Sequence, residues 1–297
     1  MTTSEASLHG SDAGVVSSYY NDMTAKLVDK YGPGPDIHYH LGYYEDGKAP
    51  AHSPEASPEE IRASIVAGQR RNLAHAAQVW DAGQRFTGSV LDIGCGLGGG
   101  SIFWASTFGA NVTGVTFAAE HPPLISEFAR RAGCEDKIRV VLSDACEIPA
   151  DKVYDTAVAI ESSCCYPLHP WFRNLARLLK PGGSVCVEDI IPLRPQGTVV
   201  FDEYFYTQCH AIEEYADAAR AADFELVDDI DITDQMVPFW QDSIAWTRAK
   251  LSPERSSGLD ITERRRLRIS LAVHHDLDRE WRSGGMRQAL LRFERRG

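Results

Sequence analysis

The chain has 297 residues, 43% of them hydrophobic and 24% charged, a composition that excludes disorder, collagen-like repeats and a disulfide-stapled miniprotein. A formal charge of −12, from 30 basic and 42 acidic side chains, argues against nucleic acid as the main partner. No apolar run approaches the roughly 18 residues of a membrane helix, and MTTSEASLHGSD lacks the basic and apolar parts of a signal peptide, so a cytoplasmic protein without a membrane partner is expected.

The elements follow in chain order. Apolar residues at Tyr20, Met23, Leu27 and Val28 predict a helix over Ser17 to Tyr31 that stops at the breaker YGPGP. DIHYHLGYY, Asp36 to Tyr44, lies between Gly/Pro-rich stretches and reads as a loop of the kind that lines sites. Ser57-Pro-Glu-Glu-Ile starts a helix that runs to about Ala82. From Ser89 the pattern becomes short apolar runs bounded by glycine, alternating with helical stretches, which signals βαβ units and a parallel sheet. Strands are expected near 89–93, 112–116, 138–142, 156–160, 184–189, 225–232 and 287–293, with helices near 100–108, 122–132, 169–179 and 208–222. The mostly helical stretch from Pro238 to about Arg282 reads as a lid over the carboxyl edge of the sheet.

Seven cysteines, at 95, 134, 146, 164, 165, 186 and 209, show no CxxC, so neither a structural disulfide nor a zinc site is expected. From Arg248 to Gly297, 13 Arg and Lys stand against 7 Asp and Glu, a basic segment able to steer a small polyanion.

Ser89-Val-Leu-Asp-Ile-Gly-Cys-Gly-Leu-Gly-Gly-Gly-Ser101 is a strand, a glycine turn and a helix start. Glycines there permit positive φ and close approach of backbone to a ligand. Asp92, two residues ahead of Gly94, would repel a pyrophosphate but suits an ammonium group, which favours a cofactor bearing an amino acid over NAD.

LDIGCGLGGGS resembles the first motif of the class I S-adenosylmethionine-dependent methyltransferases. Gly114-Val-Thr after the second strand, Ser143-Asp144-Ala145 after the third and Leu178-Leu-Lys-Pro-Gly-Gly183 as a turn before the fifth follow in the family's order, and the resemblance spans about residues 15 to 295. It implies an α/β, Rossmann-like fold with a seven-stranded, mostly parallel sheet, N-terminal helices and a helical lid. A single domain over 1–297 is expected, divided into an N-terminal segment (1–85), a cofactor-binding core (86–235), the lid (236–284) and a last strand (285–297). It also implies that Asp92, Gly94 and Gly96 cradle the methionine part of S-adenosylmethionine and that Asp144, with Ala145, meets the adenine. The second strand ends in Thr116, where many relatives carry an acid for the ribose, so Thr116 and His121 are its expected substitutes.

The sulfonium methyl is already activated, so the protein must position a nucleophile, exclude water and supply a base where a proton leaves. Glu161 ends the apolar run Ala157-Val-Ala-Ile, at the edge where open α/β sheets bind ligands, and its desolvation should raise its proton affinity. Tyr39, Tyr43, Tyr44, Tyr166, Tyr204, Phe205, Tyr206, Phe239, Trp240 and Trp246 crowd the predicted loops and lid. Each aromatic face stabilises a cation by roughly 0.5 to 2 kcal/mol.

Three stretches, Glu161-Ser-Ser-Cys-Cys-Tyr-Pro-Leu-His-Pro-Trp-Phe172, Asp231-Ile-Thr-Asp-Gln-Met-Val-Pro-Phe-Trp240 and Ile37-His-Tyr-His-Leu-Gly-Tyr43, resemble the geranyl diphosphate C-methyltransferases. In that family an alkene carbon takes the methyl, aromatics and a Glu stabilise the carbocation, and proton loss restores a double bond. The resemblance implies Glu161 and Tyr166 as catalytic residues and Phe239 and Trp240 as an aromatic pair beside the substrate; His38, Tyr39, His40, Tyr43, Tyr44 and Tyr206 are the further candidates around it. Ala159-Ile160 and the Arg-rich lid depart from the family pattern, which leaves geranyl, isopentenyl and farnesyl diphosphate open. For the diphosphate, Arg70, Arg71 and the Arg264-Arg265-Arg266-Leu-Arg268 stretch are candidates, with Mg2+ bridging through the phosphates left open. His38 and His40 have the spacing of a metal pair but no third ligand, so hydrogen bonds to substrate or backbone are expected instead. The rivals are an O- or N-methyltransferase of a natural-product scaffold or small amine, and a regulatory module that has lost its chemistry. Homo-oligomer formation is left open.

Overall fold

Short apolar runs bounded by glycine become the strands β1 (Ser89–Ile93), β2 (Asn111–Thr116), β3 (Ile138–Leu142), β4 (Tyr154–Ile160), β5 (Leu179–Pro192), β6 (Phe224–Asp231) and β7 (Met286–Arg295) of the computed structural model, which describes residues 23–149 and 154–296. They form one sheet in the order β3-β2-β1-β4-β5-β7-β6. β1 to β5 are parallel, and β7 runs antiparallel between β5 and β6. The central strands are buried on both faces, which is why they read as continuous apolar runs rather than alternating ones.

The crossover helices are α4 (Gly99–Phe108), α5 (His121–Ala132), α6 (Leu168–Leu178) and α8 (Ile212–Ala221). Before the sheet come α1 (residues 23–31), α2 (Pro58–Val79) and the short α3 (Ala82–Arg85). The predicted start of α1 at Ser17 lies outside the described residues. Helix α2 opens on a capping box, in which Ser57 Oγ accepts the Glu60 N–H and the Glu60 carboxylate accepts the Ser57 N–H. Between β6 and β7 lie α9 (Thr233–Met236), α10 (Pro238–Lys250), α11 (Pro253–Ser256) and α12 (Ile261–Arg282). Helix α10 packs on both α2 and α12, so the inserted helices join the N-terminal segment rather than standing off as an arm.

Two local readings are corrected. Leu179-Lys-Pro-Gly-Gly183 is the opening of β5 rather than a turn before it: Tyr154 pairs with Leu179 but Thr156 pairs with Ser184, and the extra residues bulge out at Gly182 with φ +75°. The helix expected from 208 starts only at Ile212, where Glu214 caps the Ala211 N–H, and an additional helix α7 (Val199–Phe205) precedes it. Its Phe201 is buried and meets Trp281 of α12 edge to face, a tertiary contact that local periodicity does not announce.

The strand order reverses between β1 and β4, and a crevice opens outside their carboxyl ends. Asp92 and the glycine turn leave β1 at that point; Glu161 leaves β4.

Candidate active site

The turn after β1 holds three glycines at positive φ: Gly94 (+71°), Gly96 (+53°) and Gly98 (+84°). A Cβ on Gly94 would lie 2.4 Å from Ser162 Cβ, whereas one on Gly96 would meet nothing within 4 Å. Gly94 therefore lets the ends of β1 and β4 approach each other, and Gly96 forms an open floor. Around it lies a cavity of about 760 Å³, lined by His38, Tyr39, His40, Asp92, Gly94, Gly96, Thr116, His121, Glu161 and Tyr166 among others. Asp92 is 3% exposed; one carboxylate oxygen accepts the Ser101 hydroxyl at 2.6 Å, and the other makes no hydrogen bond among the described residues. Burial pushes its proton affinity up, to a pKa of about 6, with the Ser101 bond pulling the other way. Thr116 Oγ1 stands 3.3 Å from His121 Nδ1, joining the two expected ribose substitutes on one wall.

Glu161 sits in left-handed backbone, φ +44°, a conformation rare outside glycine and found at strained functional positions. Its N–H donates to the Glu188 carbonyl at 2.7 Å. Oε1 accepts the Leu41 N–H at 2.8 Å and the Gln288 amide at 3.1 Å, leaving Oε2 without a partner among the described residues. Burial, and then the neighbouring Glu188 carboxylate, push Glu161 well above the usual carboxylate range. The Tyr166 hydroxyl donates to Ser162 Oγ at 2.6 Å, which in turn donates to the Ile93 carbonyl at 2.7 Å. Tyr166 thus ties the end of β4 to the glycine turn and lines the first cavity alone of the two described here.

Tyr39, His40 and Glu161 also line a second cavity, of about 900 Å³, under the inserted helices. Its walls are aromatic and aliphatic: Leu27 and Tyr31 of α1, Phe201, Tyr204 and Phe205 of α7, and Phe239, Trp240 and Trp246 of α10. Lys26, Lys30 and Arg266 stand on the same wall. Arg266 is paired with Glu263, whereas Lys30 Nζ donates to Ser243 Oγ at 3.3 Å and faces the Tyr31 ring at 5.2 Å and the Phe239 ring at 5.6 Å. No carboxylate pairs with Lys30 among the described residues, and burial, helped by the Arg266 charge, lowers its pKa to about 7. His40 Nδ1 lies 2.8 Å from the Leu41 carbonyl, which can only accept, so Nδ1 carries the proton. Its Nε2 is therefore an acceptor, buried and unpartnered, and burial holds the ring neutral with a pKa of about 4.

Several expected contacts are not brought here. Arg70 is exposed and paired with Asp36 at 2.7 Å, and Arg71 donates to the Tyr43 carbonyl at 3.0 Å; both lie outside the two cavities because α2 turns that face to solvent and to the loop. Arg264, Arg265 and Arg268 project from the outer face of α12, leaving Arg266 as the inward arginine of that stretch. Tyr43 stacks on His75, and the Tyr44 hydroxyl donates to buried Asp242 at 2.7 Å, so both tie the loop to helices. Tyr206 is half exposed at the end of α7, outside the cavity lined by its neighbours Tyr204 and Phe205. Asp144, exposed, accepts the Cys146 N–H, and Ala145 is buried; neither lines the first cavity. Sequence reasoning passed over Lys26 and Lys30, although Met23, Leu27 and Lys30 share one helical face. Glu188, Asn72 and Gln288 carried no local signal.

Residues 90–183 match the methyltransferase domain family. The whole fold is similar to geranyl diphosphate C-methyltransferase from Streptomyces coelicolor A3(2), solved with Mg2+, geranyl diphosphate and S-adenosyl-L-homocysteine, at a TM-score of 0.73 and 20% identity over 98% of this chain and 100% of that one. Over residues 90–183 the chain is therefore similar to the methyltransferases, and its fold is that of a solved one. The chain is 29% identical to methyltransferase GfsG of Streptomyces halstedii over 247 residues, 79% of this chain and 81% of GfsG. It is 28% identical to a probable tocopherol O-methyltransferase of Oryza sativa subsp. japonica over 68% of this chain, and 30% identical to sterol 4-C-methyltransferase strm-1 of Caenorhabditis elegans over 64%. It spans 58% and 52% of the lengths of these last two relatives, little more than half.

The first cavity fits the family's cofactor: the open floor at Gly96 leaves room for a ligand, and the unpaired Asp92 oxygen offers an acceptor for its ammonium group. A resident metal fits less well, since among the described residues no three His, Cys, Asp or Glu side chains converge. Asp92→Asn is expected to weaken S-adenosylmethionine binding by roughly 10- to 100-fold, the loss of one charge-assisted hydrogen bond. Because Asp92 is ionised above a pKa of about 6, wild-type affinity should fall as pH drops below that value, and calorimetric titration from acid to neutral pH reads both effects. An affinity flat with pH and unchanged in Asp92→Asn would remove Asp92 from the site.

Proposed function

We propose that the chain transfers the methyl of S-adenosylmethionine to an alkene carbon of a prenyl diphosphate. The observation that carries this is the position of Glu161 on a wall common to the cofactor cavity and to an aromatic cavity that also presents Lys26, Lys30 and Arg266. An apolar body with an anionic head matches that lining in both respects. The cofactor supplies an electrophilic methyl group. The protein holds the alkene against it; the π pair would form the new carbon–carbon bond as the sulfur–methyl bond breaks, that bond's pair staying on the thioether sulfur of the leaving S-adenosylhomocysteine, and a tertiary cation is left. Tyr39, Phe239 and Trp240 offer ring faces to that cation. Glu161 Oε2 offsets its charge and takes a proton from an adjacent carbon, whose C–H pair becomes the new double bond. Any Mg2+ would be carried by the substrate diphosphate.

The test is incubation with methyl-labelled cofactor, Mg2+ and a panel of isopentenyl, dimethylallyl, geranyl and farnesyl diphosphates, followed by product mass after dephosphorylation. A single added methyl on one chain is the expected result. Cofactor binding without transfer to any of the four would end this reading.

One observation favours a second reading. His40 Nε2, neutral and unpartnered between the two cavities, could accept a proton from a substrate hydroxyl, as an O-methyltransferase requires. The sequence similarity to an O-methyltransferase is in keeping with it.

A further inference from the structure

Behind Glu161 lies a second buried carboxylate that the proposed reaction does not use. Glu188 of β5 is 0% exposed and lines neither cavity. Its oxygens accept the Asn72 amide at 2.8 and 2.9 Å, and one of them also accepts Gln288 Nε2 at 3.0 Å. The same Gln288 nitrogen donates to Glu161 Oε1 at 3.1 Å, so one amide joins the two carboxyl groups. Both amides leave their own oxygens buried and unpartnered, spending only their donor side on this pair. Such a cost marks Asn72 and Gln288 as groups set to hold a carboxylate. No cation pairs with Glu161 or Glu188 among the described residues. The other titratable groups around them are Asp189 on β5, bonded to Ser163, and the neutral ring of His40 in the loop.

Two anions this close in a dry site, bridged by a single amide and facing no cation, do not both stay ionised. Glu188 has the greater share of donors and Glu161 the open cavity. We propose that Glu188 is a positioning residue that keeps Glu161 protonated in the resting protein, so that Glu161 releases its proton and becomes a base only when a cation occupies the cavity beside it. The directions agree: burial raises both groups, and the Glu188 carboxylate adds to the rise at Glu161. The inference rests on the reading that the sulfonium lies against Glu161, but not on the identity of the methyl acceptor.

The test uses two ligands that differ in that charge. S-adenosylmethionine and S-adenosylhomocysteine carry the same ammonium group, so proton exchange at Asp92 cancels in their difference. Calorimetric titration of each, near pH 7 in buffers of different ionisation enthalpy, gives the protons released on binding. The wild type is expected to release up to about one proton more with the sulfonium than with the thioether. Glu188→Gln, an isosteric change, should shrink that difference because burial alone then holds the proton on Glu161, and Glu161→Gln should abolish it. Equal proton release with the two ligands in the wild type, or the wild-type difference retained in either variant, would overturn the proposal. Infrared spectra of the wild type and Glu161→Gln give a second measurement that needs no Glu188 variant. A protonated-carboxyl band assigned to Glu161 should disappear with the sulfonium and persist with the thioether; its absence from the ligand-free protein at pH 7 would also refute the idea. Failure of the prenyl diphosphate panel leaves both measurements standing, so the two claims fail separately.

Discussion

Glu161→Gln is expected to lower turnover by roughly 10²- to 10⁴-fold, the usual contribution of a positioned base, in a protein that still binds S-adenosylmethionine. Glutamine keeps the shape, and its carbonyl oxygen can still accept the Leu41 and Gln288 donors that hold Oε1. Only the unpartnered oxygen facing the cavities becomes an amide, which neither offsets a cation nor takes a proton. Because Glu161 must be ionised to act and its proton affinity is raised, wild-type kcat/KM should fall on the acid side at a higher pH than an ordinary glutamate would give. Residual product from the variant should contain misplaced alkene isomers. Wild-type rate and product distribution would sink the assigned role, and the heteroatom reading with His40 as acceptor would then be preferred. The folded-state value lies above the unfolded one, so the stability tied to this proton is complete below the ordinary glutamate range and is lost as pH rises through the raised value. The variant should therefore melt no lower than the wild type at alkaline pH, which separates lost chemistry from lost folding.

What the sequence disclosed and what it hid divide along physical lines. The strands announced themselves because β1, β4 and the middle of β5 are buried on both faces and bounded by glycines. Asp92 and Glu161 were legible because each ends such a strand, and topology then carries both to the same crevice. The arginines misled: Arg70, Arg71 and most of the α12 cluster satisfy surface pairs or face solvent, as charged residues on helices usually do. Lys30 was hidden in plain pattern, since its face is shared with Met23 and Leu27 but its charge suggested water. The Glu188, Gln288 and Asn72 network was not legible at all. Those residues lie on β5, β7 and α2, more than a hundred positions apart from end to end, and only the antiparallel insertion of β7 beside β5 brings Gln288 to Glu161.

With a prenyl diphosphate as the proposed substrate, Lys30→Met is expected to raise its KM by roughly 10- to 100-fold, with kcat changing less. A charge-assisted contact to a phosphate oxygen stabilises by about 1.5 to 3 kcal/mol, and a headgroup far from the reacting carbon contributes mainly to binding. Methionine keeps the length of the stem against Tyr31 and Phe239, so the apolar wall is preserved. The stability effect has the opposite sign. Lysine in the unfolded chain titrates at 10.5, whereas burial brings Lys30 to about 7, so the folded state holds the proton less tightly and this group's unfavourable contribution grows as pH falls from 10.5 toward 7. The variant should thus melt at a higher temperature than the wild type near pH 7, and the gap should close toward pH 10.5. A weaker KM in a more stable protein is the signature of a residue kept for its ligand rather than for the fold. Unchanged KM for every prenyl diphosphate that is turned over would remove Lys30 from the headgroup site and leave Lys26 and Arg266 to hold it.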